Sequence, residues 1–191
     1  MRYISTRGEA PALSFEEAML TGLARDGGLY VPETWPQMSA AEIADLAGKS
    51  YEEVAFRVML PFVEGAFDEA EFRGIIDRAY ANFGHAARCP VVQTGANAFV
   101  LELHHGPTLA FKDVAMQLIG QMFEVALKRR GDRVTIVGAT SGDTGSAAIE
   151  AFRGLEAVDV FILFPHGRVS EVQRRQMTTP VEANVHALAV E

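Results

Sequence analysis

Val134-Thr135-Ile136-Val137-Gly138-Ala139-Thr140-Ser141-Gly142-Asp143-Thr144-Gly145-Ser146 reads as a strand, a tight loop and the start of a helix. The first four residues are β-branched, the composition of a short buried strand. Glycines and small hydroxyl residues follow, and Thr144 to Phe152 reads as a helix. The alternation then repeats, with Val158 to Phe164 as strand, Ser170 to Met177 as helix and Val185 to Val190 as strand. A β-α-β-α-β order with continuously apolar strands predicts a parallel sheet covered by helices. The last strand runs to Glu191 with no closing helix. Residues 132–191 are therefore expected to be a truncated parallel α/β domain, and the chain a fragment or one part of a larger protein.

Upstream, residues 1–88 read as a helical region with marked helix starts. Ser14-x-x-Glu17, Ser39-x-x-Glu42, Ser50-x-x-Glu53 and Asp68-x-x-Glu71 all have the form of a capping box. The first helix carries Phe15, Ala18, Met19, Gly22 and Leu23 on one face and is expected to stop at Gly27-Gly28. The second should stop near Gly48 and the third before Pro61. The fourth carries Phe72, Ile75, Ile76, Ala79 and Phe83 and should stop at Gly84. A hairpin is expected next, with Val91-Val92-Gln93 and Phe99 to Leu103 flanking Thr94-Gly95-Ala96-Asn97. A long helix opening at Thr108 ends near Lys128-Arg129-Arg130-Gly131, three cations and a glycine that suit a helix C-terminus.

Composition narrows the function. The chain has 191 residues, 49% of them hydrophobic, and a net charge of −8, which argues against general nucleic-acid binding but not against a local basic pocket. No run approaches the roughly 18 apolar residues of a membrane helix. The N-terminus lacks the apolar core of a signal peptide. Cys89 is the single cysteine, so no intrachain disulfide can form, which fits a reducing compartment. It reads as a small buried thiol, and the five histidines share no zinc-type spacing with it. A cytoplasmic protein with no metal, membrane or nucleic-acid partner is expected.

Lys112 is the first chemical candidate. With Thr108 as cap it would sit near the fourth helical position, inside the positive end of the helix dipole and beside apolar Phe111, Val114 and Ala115. Both effects lower a lysine pKa, and a neutral lysine amine forms Schiff bases with carbonyl cofactors. Asp113 would oppose this if it pointed at the amine. The alternative is a solvent-facing lysine at a helix rim, its stem lying over apolar neighbours.

The second candidate is the loop Ser141-Gly142-Asp143-Thr144-Gly145. It joins a strand to a helix N-terminus, a common anion site, yet it carries neither a Walker A sequence nor a dinucleotide fingerprint. Asp143 would repel a phosphate, so a carboxylate or a phenolate is the better-suited anion. A tight turn with no ligand is the other reading. Ser5-Thr6-Arg7-Gly8 pairs hydroxyls with a guanidinium, a set able to bind phosphate, or else forms a solvated N-terminal turn. His104-His105 can do proton work or satisfy hydrogen bonds at a strand end.

Together these segments resemble threonine synthase, a pyridoxal-phosphate family of the tryptophan-synthase-β-like fold. The resemblance rests on Tyr3 to Gly8, Asp26-Gly27-Gly28-Leu29-Tyr30-Val31-Pro32, the string His104-His105-Gly106-Pro107-Thr108-Leu109-Ala110-Phe111-Lys112-Asp113, and Ala139 to Ser146. The third segment is the most specific. The resemblance implies that Lys112 holds pyridoxal 5'-phosphate as a Schiff base. It implies that Ser141, Gly142, Asp143, Thr144 and Gly145 lie against the cofactor's ring-hydroxyl side and the substrate carboxylate. It implies that Ser5, Thr6 and Arg7 lie near the substrate phosphate. Many relatives have asparagine at the place of Asp143, which leaves its role open.

The implied reaction converts O-phospho-L-homoserine and water to L-threonine and phosphate, a carbon–oxygen lyase reaction of threonine biosynthesis. Family members are much longer, and their cofactor-phosphate loop and pyridine-nitrogen partner fall outside these residues. Residues 89–131 would begin the cofactor domain, its remainder supplied by a missing C-terminal part. The chain alone is expected to bind cofactor weakly and not to turn over. Two rivals stand beside this reading: a dehydratase or another pyridoxal-phosphate lyase of the same fold, and a non-catalytic ligand-binding homologue.

Overall fold

The structure is a computed structural model that describes all residues from 1 to 191, and these divide into two compact units, Met1–Asp77 and Arg78–Glu191. In the first unit a three-stranded antiparallel sheet forms from β1 (Arg2–Ser5), β2 (Leu13–Ser14) and β3 (Tyr30–Pro32), with β1 in the centre. Helices α1 (Phe15–Thr21), α2 (Ala40–Ala44) and α3 (Tyr51–Met59) follow, then a 3₁₀ turn at Leu60–Phe62 and α4 (Glu69–Tyr80). Aromatic edges and faces build the core: Tyr3 meets Phe15, Phe15 meets Phe67, and Phe67 stacks on Phe72, all with ring centroids 5.7–6.2 Å apart.

Local chemistry explains the helix starts and two differences from expectation. Ser14 and Ser39 form complete capping boxes with Glu17 and Glu42. Ser50 caps α3 through the Glu53 N–H at 3.2 Å, but the Glu53 carboxylate turns to Arg57 and Arg73, each at 2.6 Å. Two guanidiniums outcompete one backbone N–H for a carboxylate, so the box is half made. Helix α1 stops at Gly22, not at Gly27-Gly28. The Gly22 N–H closes on the Ala18 carbonyl at 3.1 Å with φ at +72°, and Leu23 leaves the helix to bridge Leu29. Helix α4 likewise ends at Tyr80 rather than Gly84, although Phe83 stays buried beyond its end.

The second unit opens with the hairpin β4 (Val91–Gly95) and β5 (Ala98–Leu101), then the long helix α5 (Asp113–Arg130), which Gly131 ends in the left-handed conformation. A parallel sheet follows, made of β6 (Val134–Ala139), β7 (Val158–Pro165) and β8 (Val185–Val190), connected through α6 (Asp143–Phe152) and α7 (Glu171–Thr178). The alternation expected from sequence is present, with β8 at the expected bounds. Strand order β6-β7-β8 never reverses. Right-handed crossovers that advance in one direction put their helices on one face. Val158, Val160, Ile162 and Phe164 are accordingly buried, whereas Val137 on the opposite face is 67% exposed. The sheet is thus covered by these helices, as expected, and on one side only. Cys89 is half-buried rather than buried. No helix is long and apolar enough to cross a membrane.

Phe72 has no exposed surface, whereas Leu23 is 65% exposed. Phe72→Ala should cost about 3–5 kcal/mol of unfolding free energy in urea denaturation, and Leu23→Ala less than about 0.5 kcal/mol. Equal losses would contradict the end assigned to α1.

Candidate active site

Helix α5 begins one residue after Lys112, which is its N-cap with φ −65° and ψ −21°. The segment that leads into it is organised by Asp113. This carboxylate is fully buried and accepts from the Thr108 N–H at 2.8 Å and the Thr108 hydroxyl at 2.6 Å. The Leu109 N–H of the same turn donates to the Gly106 carbonyl at 3.1 Å. Thr108 was expected to cap the helix, but the polarity is reversed: a helix residue reaches back and caps the loop. A carboxylate accepts several N–H groups at once, whereas a threonine hydroxyl accepts one or two. Lys112 therefore lies at the cap position, not at the fourth helical position. Burial pushes the Asp113 carboxyl above its ordinary value, and the bonds from Thr108 pull it back.

Two consequences concern the lysine. Asp113 is committed to the loop and does not point at the amine. The half-buried Lys112 ammonium instead lies over the Phe111 ring, 4.1 Å from its centroid. Gly106 fits against the Asp113 side chain, where any Cβ would collide with the carboxylate. Leu109 takes a left-handed φ of +64° in the same turn. The backbone around the lysine is shaped by this one buried anion.

The glycine loop has its own internal scaffold. The Thr140 hydroxyl oxygen accepts from Gly142 N–H at 3.1 Å and Gly145 N–H at 3.2 Å. The N–H groups of Ser141, Asp143 and Thr144 find no acceptor in the chain, and all three residues are exposed at the start of α6. Free N–H groups at a helix N-terminus suit an anion. Gly142 has φ +154° and ψ −90°, a conformation that favours glycine. The Asp143 carboxylate accepts a hydrogen bond from Gln173 of α7. Gln176, one turn on, donates to the Thr108 carbonyl at 3.0 Å. Thr140, Gln173 and Gln176 were not singled out from sequence. An isolated threonine beside a loop and two glutamines in a charged helix carry no pattern that separates them from surface residues.

Ser5, Thr6 and Arg7 lie in the first unit, at the end of β1. The Ser5 hydroxyl donates to Asp26 at 2.7 Å and accepts from the Arg7 N–H at 3.1 Å. Arg7 donates to the Asp26 carbonyl at 2.8 Å, and the Thr6 hydroxyl accepts from Leu29 N–H at 3.0 Å. Two separated segments of the resemblance, residues 3–8 and 26–32, therefore form one hydrogen-bonded corner. Near the hairpin, Glu102 binds His105 Nε2 at 2.7 Å, and His104 completes a group whose potential ligand atoms lie within 4.8 Å of one another. The Glu102 carboxyl is held low chiefly by the His105 hydrogen bond. His105 thus satisfies a hydrogen bond at a strand end.

Comparisons with known proteins identify relatives of this chain. A family model described as "Threonine synthase N terminus" matches residues 2–80. A threonine synthase from Pseudomonas aeruginosa is 58% identical over 191 residues, all of this chain and 41% of that protein. The crystal structure of a PLP-bound threonine synthase from Brucella melitensis superposes with a TM-score of 0.96 at 61% identity, over 100% of this chain and 41% of that one. The chain belongs to the threonine synthase family. Its match is to the N-terminal part, on the tryptophan-synthase-β-like fold. The yeast threonine synthase structure gives a TM-score of 0.93 at 43% identity, over 98% of this chain and 40% of that one. The chain thus spans about two fifths of the relatives it matches.

The corner at Asp26 sets a pH dependence. The Gly28 N–H, then the Ser5 hydroxyl, hold the Asp26 carboxyl below its ordinary value of 3.8. A lowered carboxyl stabilises the fold above its unfolded pKa, and that contribution is lost as pH falls through the lower folded value. Asp26→Asn should lower the thermal midpoint at neutral pH and flatten part of the acid decline below pH 3.8. Superimposable melting curves across the acid range would exclude this role.

Proposed function

We propose that this chain carries the lysine and the anion-binding loop of a threonine synthase, the full activity belonging to a longer protein. The observation that carries the reading is Lys112. It is a lysine at a helix start whose neighbouring carboxylate is buried in another task, within a chain of this family. Lysine amines form Schiff bases with aldehydes, and the adjacent Asp113 carboxylate does not engage this one. The donor set therefore fits pyridoxal 5'-phosphate, which Lys112 would hold covalently. When bound, the cofactor supplies an electron-withdrawing ring that takes up charge from the substrate's α carbon.

The remaining roles fall to the chain's own groups. The free N–H groups of Ser141, Asp143 and Thr144, with the Ser141 and Thr144 hydroxyls, would bind the substrate carboxylate or the cofactor's ring oxygen. Gly142 and Gly145 let Gln173 and Met177 of α7 approach the loop closely. The Gln173 amide ties down the Asp143 charge, which makes the loop less repulsive to an anion. The Lys112 amine, once free, would move protons at the α and β carbons. Arg7, with Thr6 and Ser5, would contribute to the substrate phosphate, since most of the Arg7 donors are left over from its one bond to Asp26. The reaction is O-phospho-L-homoserine and water to L-threonine and phosphate. Water adds at the β carbon and phosphate leaves from the γ carbon. We read residues 1–88, 89–131 and 132–191 as the three segments contributed to that protein, which we place in the cytoplasm.

Lys112→Ala in the longer protein should abolish the near-visible absorbance of bound cofactor and lower threonine formation by at least about 10²–10⁴-fold. Retention of both would overturn the reading. Residues 1–191 alone should bind the cofactor weakly and show no turnover. An absorbance titration that saturates at low cofactor concentration would contradict that expectation.

A further inference from the structure

We infer that Gln173 and Gln176 are positioning residues through which helix α7 holds the loop Ser141–Gly145 and the lysine-bearing loop in one fixed arrangement. The inference rests on the function proposed above and adds to it two residues that touch neither substrate nor cofactor. The two glutamines are three positions apart, so they share a face of α7. Each uses its side-chain amide on a different loop.

Gln173 is oriented at both ends. The Ser170 hydroxyl, which caps α7 by accepting the Gln173 N–H at 3.3 Å, donates to Gln173 Oε1 at 3.0 Å. That leaves Nε2 to donate to the Asp143 carboxylate. The network sets which way the amide faces, and a donor is what a carboxylate requires. The same amide occupies the space where a Cβ on Gly142 would stand. Gln173 thereby fixes the direction of Asp143 and the backbone turn that leaves the neighbouring N–H groups free. Met177, one helical turn further and 1% exposed, abuts Gly145, where a Cβ would come within 2.8 Å of its sulfur. Helix α7 therefore registers on both glycines of the loop.

Gln176 reaches the other loop. Its bond to the Thr108 carbonyl spans 68 residues and is part-buried. Thr108 is also the residue whose N–H and hydroxyl hold Asp113, next to Lys112. A cavity of about 280 Å³, lined in part by Thr108, Ser146, Glu150 and Gln176, adjoins this contact. Without the Gln176 amide the loop has both a lost tether and room to move. A helix contact that served stability alone would not need two amides, each aimed at a polar group of a different site loop.

The test uses the longer protein. Gln173→Ala should raise KM for the phosphorylated substrate about tenfold, with kcat within about threefold. Gln176→Ala should weaken cofactor binding about tenfold, read by titration of the near-visible absorbance. Gln173→Glu sets two carboxylates together and should be the worse variant. Adding Asp143→Asn restores a donor–acceptor pair of reversed polarity and should recover most of the KM. In cofactor-free protein, amide hydrogen exchange should quicken at residues 140–145 for Gln173→Ala and at 106–112 for Gln176→Ala. If an alanine variant fails to fold, Gln173→Asn or Gln176→Asn, which shorten the side chain but keep the amide, give the same readouts. Lower melting temperatures with exchange, KM and cofactor affinity all unchanged would overturn the inference. Loss of exchange protection in a protein whose absorbance does not depend on Lys112 would retain the tether and remove the proposed function.

Discussion

A single buried carboxylate organises the start of the long helix α5. Asp113 has no exposed surface, and an anion so placed must find donors or become neutral. It finds them in the turn that precedes its own helix, where the Thr108 N–H and hydroxyl both donate to it. The requirement then propagates. Gly106 must lack a side chain because the carboxylate occupies that space, and Leu109 must accept a left-handed backbone. Successive helical positions diverge by about 100°. The direction that takes Asp113 inward therefore leaves its neighbour Lys112 half-buried at the cap.

Much of this was readable from residue order because it rests on local rules. The β-branched run at Val134, the apolar run at Val158, the boundary residues of β8, and the serines that open α1, α2, α3 and α7 follow from short-range propensities and capping. What failed locally failed to competition over distance. Glu53 has the spacing of a capping residue, yet Arg73 is twenty positions away in sequence and takes its carboxylate. Helix α1 has apolar spacing through Leu23, yet that residue is drawn off to bridge Leu29. Strand order, and with it the face the helices cover, is a property of topology that composition does not encode.

The site divides in the same way. Lys112 and the glycines between 141 and 145 stand in recognisable strings, so their types and order mark them as candidates. Thr108 has the composition and place of a helix cap, yet two residues five apart can cap in either sense. Only the burial of the carboxylate decides between them. Gln173 and Gln176 carry no local signature at all. Their partners lie 30 and 68 residues away, and only the parallel crossover through α7 brings them to the loops.

The loop at residues 140–145 is built to be ready rather than to be moulded. Two of its N–H groups are taken up by the Thr140 hydroxyl, which shapes the turn from inside. Its one negative side chain is turned toward an amide of α7. What remains is a set of outward N–H groups at the positive end of a helix whose residues from Gly145 to Ile149 are buried, so the backbone that carries them is anchored. An anion arriving there meets donors already oriented, and little reorganisation is needed at the moment of binding. This resolves the apparent conflict of an aspartate within an anion site. In the proposed role the carboxylate would contribute through the hydrogen bond that fixes the loop, and the loop would present its backbone, not that side chain, to an anion.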